Sequence, residues 1–232
     1  MKTAGIIGGI APESTIQYYR QIVAAYRSRN PDGSYPPVIV NSIDMTKMLD
    51  LIGANRLPEV TRYLSDEILK LERAGADFAV LASNTPHVVF AELQDRSPIR
   101  LISIVDAARD AARSAGLQCI ALLGTRFTMH GQFYPETFEP AGITVIVPDA
   151  QEQAYVHDKY MGELVNGIFL PETRGRILDI VRRLRSSALI DGVVLGGTEL
   201  PLVLPAVEYE GIPFLDTTKL HVARIVDAML AP

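Results

Sequence analysis

Apolar and β-branched residues fall in short, nearly continuous runs at 3–8, 38–43, 77–82, 101–104, 118–123, 143–147 and 191–195. Runs of this length without polar alternation predict strands buried on both faces. The stretches between them carry helical spacing, at 13–29, 57–74, 106–114, 151–169, 171–187 and 217–230. Local signals mark several ends. Asp149 precedes a helix containing Glu152, Pro171 and Glu172 open another, and Gly75 and Gly116 follow helix ends. Strands alternating with helices predict an α/β protein with parallel sheets.

No stretch rich in Pro, Gly or Ser divides the chain. Two segments instead resemble each other. Ser83, Asn84, Thr85, Pro86 and His87 follow one apolar run, and Gly196, Gly197, Thr198, Glu199 and Leu200 follow another. Each reads as a buried strand, a tight polar loop and a helix start, so two crevices at strand carboxyl ends face one small ligand. The repeat predicts two pseudo-equivalent α/β lobes with a cleft between them, residues 1–104 plus 212–232 forming the first and 105–211 the second. The final helix is expected to return to the first lobe.

Composition narrows the partners. The 232 residues carry a net charge of −5 and lack a dense Lys/Arg cluster, which argues against nucleic acid and anionic membranes. No apolar stretch reaches the roughly 20 residues of a membrane span, and no signal peptide is recognisable, so a cytoplasmic location is expected. Cys119 is the single cysteine; it excludes an internal disulfide and reads as a buried structural thiol. Neither His130 nor His157 belongs to an H-E-x-x-H motif, and no metal is expected.

Candidate chemistry concentrates in four loops. Gly8, Gly9, Ile10, Ala11, Pro12, Glu13, Ser14 and Thr15 form a glycine turn opening a helix, either a tight βα turn or a carboxylate cradle of backbone N–H groups. No dinucleotide fingerprint or GxxxxGK[ST] is present. In the second loop Thr85 is expected to cap a helix with Pro86 at its first position. His87 is then either a neutral donor to a carboxylate or a histidine bonded within its own turn. Ser83 is either a hydrogen-bond donor to ligand or water, or a strand-end serine bonded to backbone. Thr125 and Thr128, three residues apart, offer two hydroxyls to one carboxylate, although capping alone explains one of them. Thr198 is expected to cap the fourth loop's helix, leaving Glu199 either a general base or a favourable first-turn acid. Two weaker groups remain: His157, Asp158, Lys159, Tyr160 and Glu163 on a polar helical face, and Asp216, Thr217, Thr218 and His221 at the start of the last helix.

The segments IGGIAPEST (7–15), SNTPH (83–87), GTRFTM (124–129), GGTEL (196–200) and DTTKLH (216–221) occur in the order found in cofactor-independent Asp/Glu racemases. The chain resembles that family over nearly its whole length. The resemblance implies two flavodoxin-like lobes, an amino acid bound in the interlobe active-site cleft, no cofactor, and a homodimer. It also implies a pair of acid/base cysteines at the positions held here by Ser83 and Gly197. Asn84, Thr85, Thr128 and Thr198 match family positions that hold the substrate's carboxylate and amino groups; Pro12, in the loop at 8–15, and Thr125, in the loop of Thr128, are further expected substrate-binding residues.

Serine is a far weaker proton shuttle than cysteine, and glycine is none. Three functions follow. The first is an amino-acid racemase or isomerase in which water, His87 or Glu199 replaces the thiols. The second is a lyase such as a decarboxylase, which needs one proton donor. The third is a non-catalytic protein that binds small carboxylates.

Overall fold

The computed structural model describes residues 1–30 and 32–231. The chain forms two compact units, Met1–Ile104 with His221–Pro232, and Val105–Leu220.

The first unit carries strands β1 (Ala4–Gly8), β2 (Val38–Ser42), β3 (Phe78–Leu81) and β4 (Arg100–Ile102) in the order β2-β1-β3-β4, with every pairing parallel. Its helices are α1 (Pro12–Arg29), α2 (Met45–Gly53), α3 (Leu57–Arg73) and α4 (Phe90–Arg96). The central strands β1 and β3 are buried throughout, as their unbroken apolar runs require. The edge strand β2 is half-exposed, so burial on both faces holds for the middle of the sheet and not for its rim. Tyr18, Ile22 and Tyr26 from α1 pack with Val222, Ile225, Val226 and Met229 from the end of the chain.

A buried polar contact joins these two helical segments. The Tyr18 hydroxyl donates to His221 Nδ1 at 2.8 Å, and His221 Nε2 donates to the Ile102 carbonyl at 2.9 Å. Both ring nitrogens are thereby used by a neutral imidazole, and burial lowers the His221 pKa to about 4.

In the second unit, α5 (Ile104–Ser114) is followed by β5 (Cys119–Gly124), α6 (Arg126–His130), α7 (Phe133–Phe138), β6 (Thr144–Ile146), α8 (Ala150–Gly162) and α9 (Pro171–Ala188). Then come β7 (Gly192–Gly196), α10 (Leu200–Val203), β8 (Glu208–Tyr209), β9 (Ile212–Asp216) and α11 (Thr217–Leu230), a helix that starts in this unit and ends in the first. The sheet order is β6-β5-β7-β9-β8, parallel except for the β8–β9 pair. With the short antiparallel β8 set aside, its four parallel strands β5, β6, β7 and β9 repeat the connectivity of the first unit. Each sheet runs outward from its first strand to the second and then reverses to the third and fourth, which is the flavodoxin-like pattern.

Several sequence expectations are corrected. Residues 212–220 belong to the second unit, because β9 pairs with β7 from Val193↔Phe214 to Leu195↔Asp216. This strand was missed because Pro213 interrupts its apolar run; the ladder to β7 begins only after that proline, so no β7 partner needs its absent N–H. The helix expected over 151–169 ends at Gly162, and a short 3₁₀ turn at Leu164–Asn166 closes on Gly167 with φ +71°. Helix α2, capped by the Asp44 carboxylate on the N–H groups of Thr46 and Lys47, was not predicted, and the helix expected to start at Pro86 becomes α-helical only at Phe90, as α4. Cys119 is half-buried rather than buried, its thiol 3.7 Å from the Ala188 carbonyl.

His221 makes stability depend on pH. With the folded pKa below the unfolded value of about 6.5, the unfolded chain binds the proton first; stability is lost as pH falls from 6.5 towards 4 and is fully present above that window. Urea denaturation at pH 7 and pH 5 is expected to show a drop smaller by about 2 kcal/mol in His221→Gln than in the unsubstituted protein. An equal drop in both would remove His221 as a contributor.

Candidate active site

In an open α/β sheet, ligands bind outside the carboxyl ends of the strands where the connectivity reverses. That point lies between β1 and β3 in the first unit and between β5 and β7 in the second. The four candidate loops follow these four strands.

The loop after β1 is tightly organised by its own side chains. Gly9 has φ +82°, and a Cβ there would fall 2.5 Å from the Ile43 carbonyl oxygen, so only glycine fits. Its N–H donates to Thr15 Oγ1 at 2.8 Å. This donor, expected as part of an anion cradle, is therefore already used. Ser14 Oγ lies 2.8 Å from the Ala11 carbonyl and 3.2 Å from that of Ala82, linking the start of α1 to the end of β3. Pro12 occupies the first position of α1 and is exposed.

After β3, Ser83, Asn84 and Thr85 are all buried. The segment Thr85–Val89 is a 3₁₀ turn leading into α4, and Asn84, not Thr85, precedes its first residue. The predicted Thr85 cap is thus corrected. His87 sits within that turn and stacks on Phe90 with ring centroids 4.8 Å apart. Its Nε2 accepts the backbone N–H of Ile104 at 3.3 Å, at the first residue of α5. An accepting Nε2 places the proton of the neutral ring on Nδ1. Burial, reinforced by the nearby His221, lowers the His87 pKa to about 3. The ring is a neutral hydrogen-bond acceptor to the α5 backbone, an anchor that its spacing in the sequence did not reveal.

In the second unit Thr125 caps α6, its hydroxyl accepting the Thr128 N–H at 3.3 Å; the two hydroxyls are 3.2 Å apart. The hydroxyl pair expected from the sequence is therefore present and buried, and its two members bond to each other. Gly124 and Gly196 are paired across β5 and β7. A Cβ on Gly124 would lie 2.7 Å from the Gly196 carbonyl oxygen, which explains glycine at the tip of β5.

The loop after β7 holds the densest polar cluster. Glu199 is 1% exposed, yet its side chain does not cap α10. Instead its Oε2 accepts hydrogen bonds from the Thr198 hydroxyl at 2.9 Å and from the Tyr160 hydroxyl. The expected cap by Thr198 and first-turn role of Glu199 are both corrected. Tyr160, from α8, lies directly over Gly197: a Cβ at 197 would collide with its ring and lie 2.9 Å from both its Cζ and its hydroxyl oxygen. Burial, then the Glu199 charge, pushes the Tyr160 pKa well above the ordinary phenol value and keeps it protonated.

The neighbours of Tyr160 on α8 are engaged elsewhere. His157 Nδ1 accepts the Arg126 N–H at 3.2 Å, Lys159 pairs with Glu163, and Asp158 is exposed. At the start of α11, Asp216 caps through the Lys219 N–H, and Thr217 donates to the Leu195 carbonyl at 2.8 Å. Among the described residues, no group of three or more His, Cys, Asp or Glu side chains is placed to hold a metal ion, and no helix is long and apolar enough to cross a membrane.

Two parallel sheets of flavodoxin-like connectivity, each with buried hydroxyl-bearing loops at its switch point, define an α/β protein of the two-lobed amino-acid racemase class. The chain belongs to the Asp/Glu/Hydantoin racemase family, whose pattern matches residues 7–225. It is 25% identical over 233 residues to the broad specificity amino-acid racemase RacX of Bacillus subtilis (strain 168), covering 98% of each chain. Two crystal structures are similar over 100% of both chains: a candidate Asp/Glu racemase from Yersinia pestis, with 30% identity and a TM-score of 0.88, and an aspartate racemase homologue from Pyrococcus horikoshii OT3, with 31% identity and a TM-score of 0.84.

The space over Gly197 makes a stability prediction. Gly197→Ala is expected to destabilise the protein by about 1–3 kcal/mol in urea denaturation, because the added methyl must displace a buried ring. In a Tyr160→Ala background the same substitution is expected to cost little, and a full cost there would mean the collision is not with Tyr160.

Proposed function

We propose that the protein moves a proton at the α-carbon of an amino acid or a related small carboxylate, as a racemase-type isomerase working without a bound cofactor. The observation that carries this reading is the Glu199 carboxylate, buried at the end of β7 and held by two hydroxyl donors. A buried carboxylate with fixed partners is costly to maintain for structure alone and is suited to exchanging protons. Racemisation needs such a group because Ser83 and Gly197 supply no thiol.

The family and the broad-specificity relative support an amino acid as substrate. On this reading Asn84 and Thr85 in the first unit, and Thr125, Thr128 and Thr198 in the second, are the candidates for holding the substrate's carboxylate and amino groups, as the resemblance implies; Pro12 is a further first-unit candidate, and Ser83 orients ligand or water. His87 is set aside as a base, since Nε2 is engaged by Ile104 and the ring stays neutral. The resemblance also carries a homodimer in the cytoplasm. Light scattering is expected to give about twice the 25.4 kDa chain mass, and a monomer would remove the dimer from the reading.

The deciding experiment is proton NMR in D₂O with D- and L-aspartate and D- and L-glutamate, followed by chiral analysis. Loss of the α-proton signal with inversion is expected. Loss of carboxylate as CO₂ would instead identify a lyase. Thermal stabilisation by these ligands without exchange would identify a binding protein.

A further inference from the structure

The loop after β7 contains a residue with no side chain, and the volume it leaves is taken by the ring edge and hydroxyl of a tyrosine from another element. Tyr160 reaches from α8 to Gly197: its ring carbon Cε2 lies closest to where a Cβ at 197 would stand, and its hydroxyl oxygen lies 2.9 Å from the same point. That oxygen is bonded to Glu199, two residues further along the loop. Thr198, between them, bonds to the same carboxylate oxygen. Gly197 thus faces the phenol ring, and Thr198 and the phenol meet on one oxygen of Glu199.

We propose that the Tyr160 hydroxyl is the proton-exchanging group of this loop, with Glu199 as the store for the proton it passes on. The inference rests on the α-proton chemistry proposed above and names the group that performs it in the second unit. Seated over Gly197, the phenol oxygen would touch the substrate, and Glu199 would act through it.

The step balances within the two side chains. As the Tyr160 oxygen takes the α-proton, the Cα–H bond breaks and a new Tyr160 O–H bond forms. The original Tyr160 proton passes to Glu199 Oε2, so one O–H bond breaks and another forms. The electron pair of the Cα–H bond remains on the substrate, delocalised into its carboxylate. The reverse movement returns a proton to the α-carbon and restores the Glu199 carboxylate. Direct ionisation of the phenol is not required, which matters because burial and the adjacent charge hold Tyr160 protonated. Its hydrogen bond to Glu199 supplies the acceptor that lets it exchange a proton without ever standing as a phenolate.

The arrangement also accounts for glycine at 197. Any side chain there would drive the phenol off its position and break its contact with Glu199.

The test measures deuterium wash-in at the α-carbon in D₂O for each enantiomer of aspartate and glutamate separately, using Tyr160→Phe, Glu199→Gln and the double variant. Circular dichroism and thermal melting check each fold. Tyr160→Phe is expected to lower wash-in at least 100-fold for one enantiomer while the other keeps its rate, because a group on one face of the α-carbon serves that face. Glu199→Gln is expected to lose the same enantiomer, and the double variant to lose no more than either single one, since the two side chains act as one relay. If Glu199→Gln does not fold, Tyr160→Phe alone decides. Wash-in within threefold of the unsubstituted protein, equal loss for both enantiomers, or multiplicative losses in the double variant would each overturn the proposal. No wash-in with the unsubstituted protein would overturn the α-proton reading itself and the inference with it, whereas wash-in that survives Tyr160→Phe overturns the inference alone.

Discussion

The fold's chemistry depends on one backbone constraint: within each sheet the first and third strands lie side by side, parallel and in register. Ile7 pairs with Leu81, and Gly124 pairs with Gly196. Parallel pairing brings both strands of a unit to an end at the same height, and the reversed connectivity keeps their helices from filling the space above. Loops that are far apart in sequence, after β1 and β3 or after β5 and β7, are neighbours for that reason. Close approach at these tips also selects glycine. Gly9, Gly124 and Gly197 each face backbone or a buried ring at distances no Cβ tolerates.

A second principle operates inside these loops. Polar groups removed from water need partners, and a buried carboxylate needs them most. In the first unit the requirement is met by backbone: His87 serves the start of α5, and His221 joins a tyrosine to a carbonyl. The loop is stabilised, and its imidazoles stay neutral. In the second unit the partners of the buried carboxylate are hydroxyls, and these hold exchangeable protons. The same demand for partners on burial therefore yields a backbone anchor in one unit and a hydroxyl–carboxylate cluster in the other.

The alternation of elements and all four candidate loops were legible in the sequence, because unbroken apolar runs ending in small polar residues mark buried parallel strands and their turns. The edge of the second sheet was not. β9 carries Pro213 in its apolar run, and its place is decided by pairing with β7, a contact that local pattern does not encode. The caps expected of Thr85 and Thr198 do not form, because N-capping preferences describe isolated helix ends, whereas these residues flank short turns whose geometry is set by packing. His87 was visible as a candidate, but its partner Ile104 lies in another element. Tyr160 was visible only as one member of a polar helical face, and its contact with the loop after β7 was not. It stands among polar residues on α8, and its approach to Gly197 is a contact between elements that local pattern does not encode.

The path of the chain imposes an order on assembly. Unit one contains the first 104 residues, yet Tyr18 and Tyr26 from α1 share their core with Val222, Ile225, Val226 and Met229. During synthesis the second unit has all its residues once the first turn of α11, up to Leu220, is made, while the earlier-made unit still has an open flank along α1. The N-terminal half is therefore the last to close, and for the whole time its neighbour is being translated it carries an uncovered apolar face that only the final helix can cover.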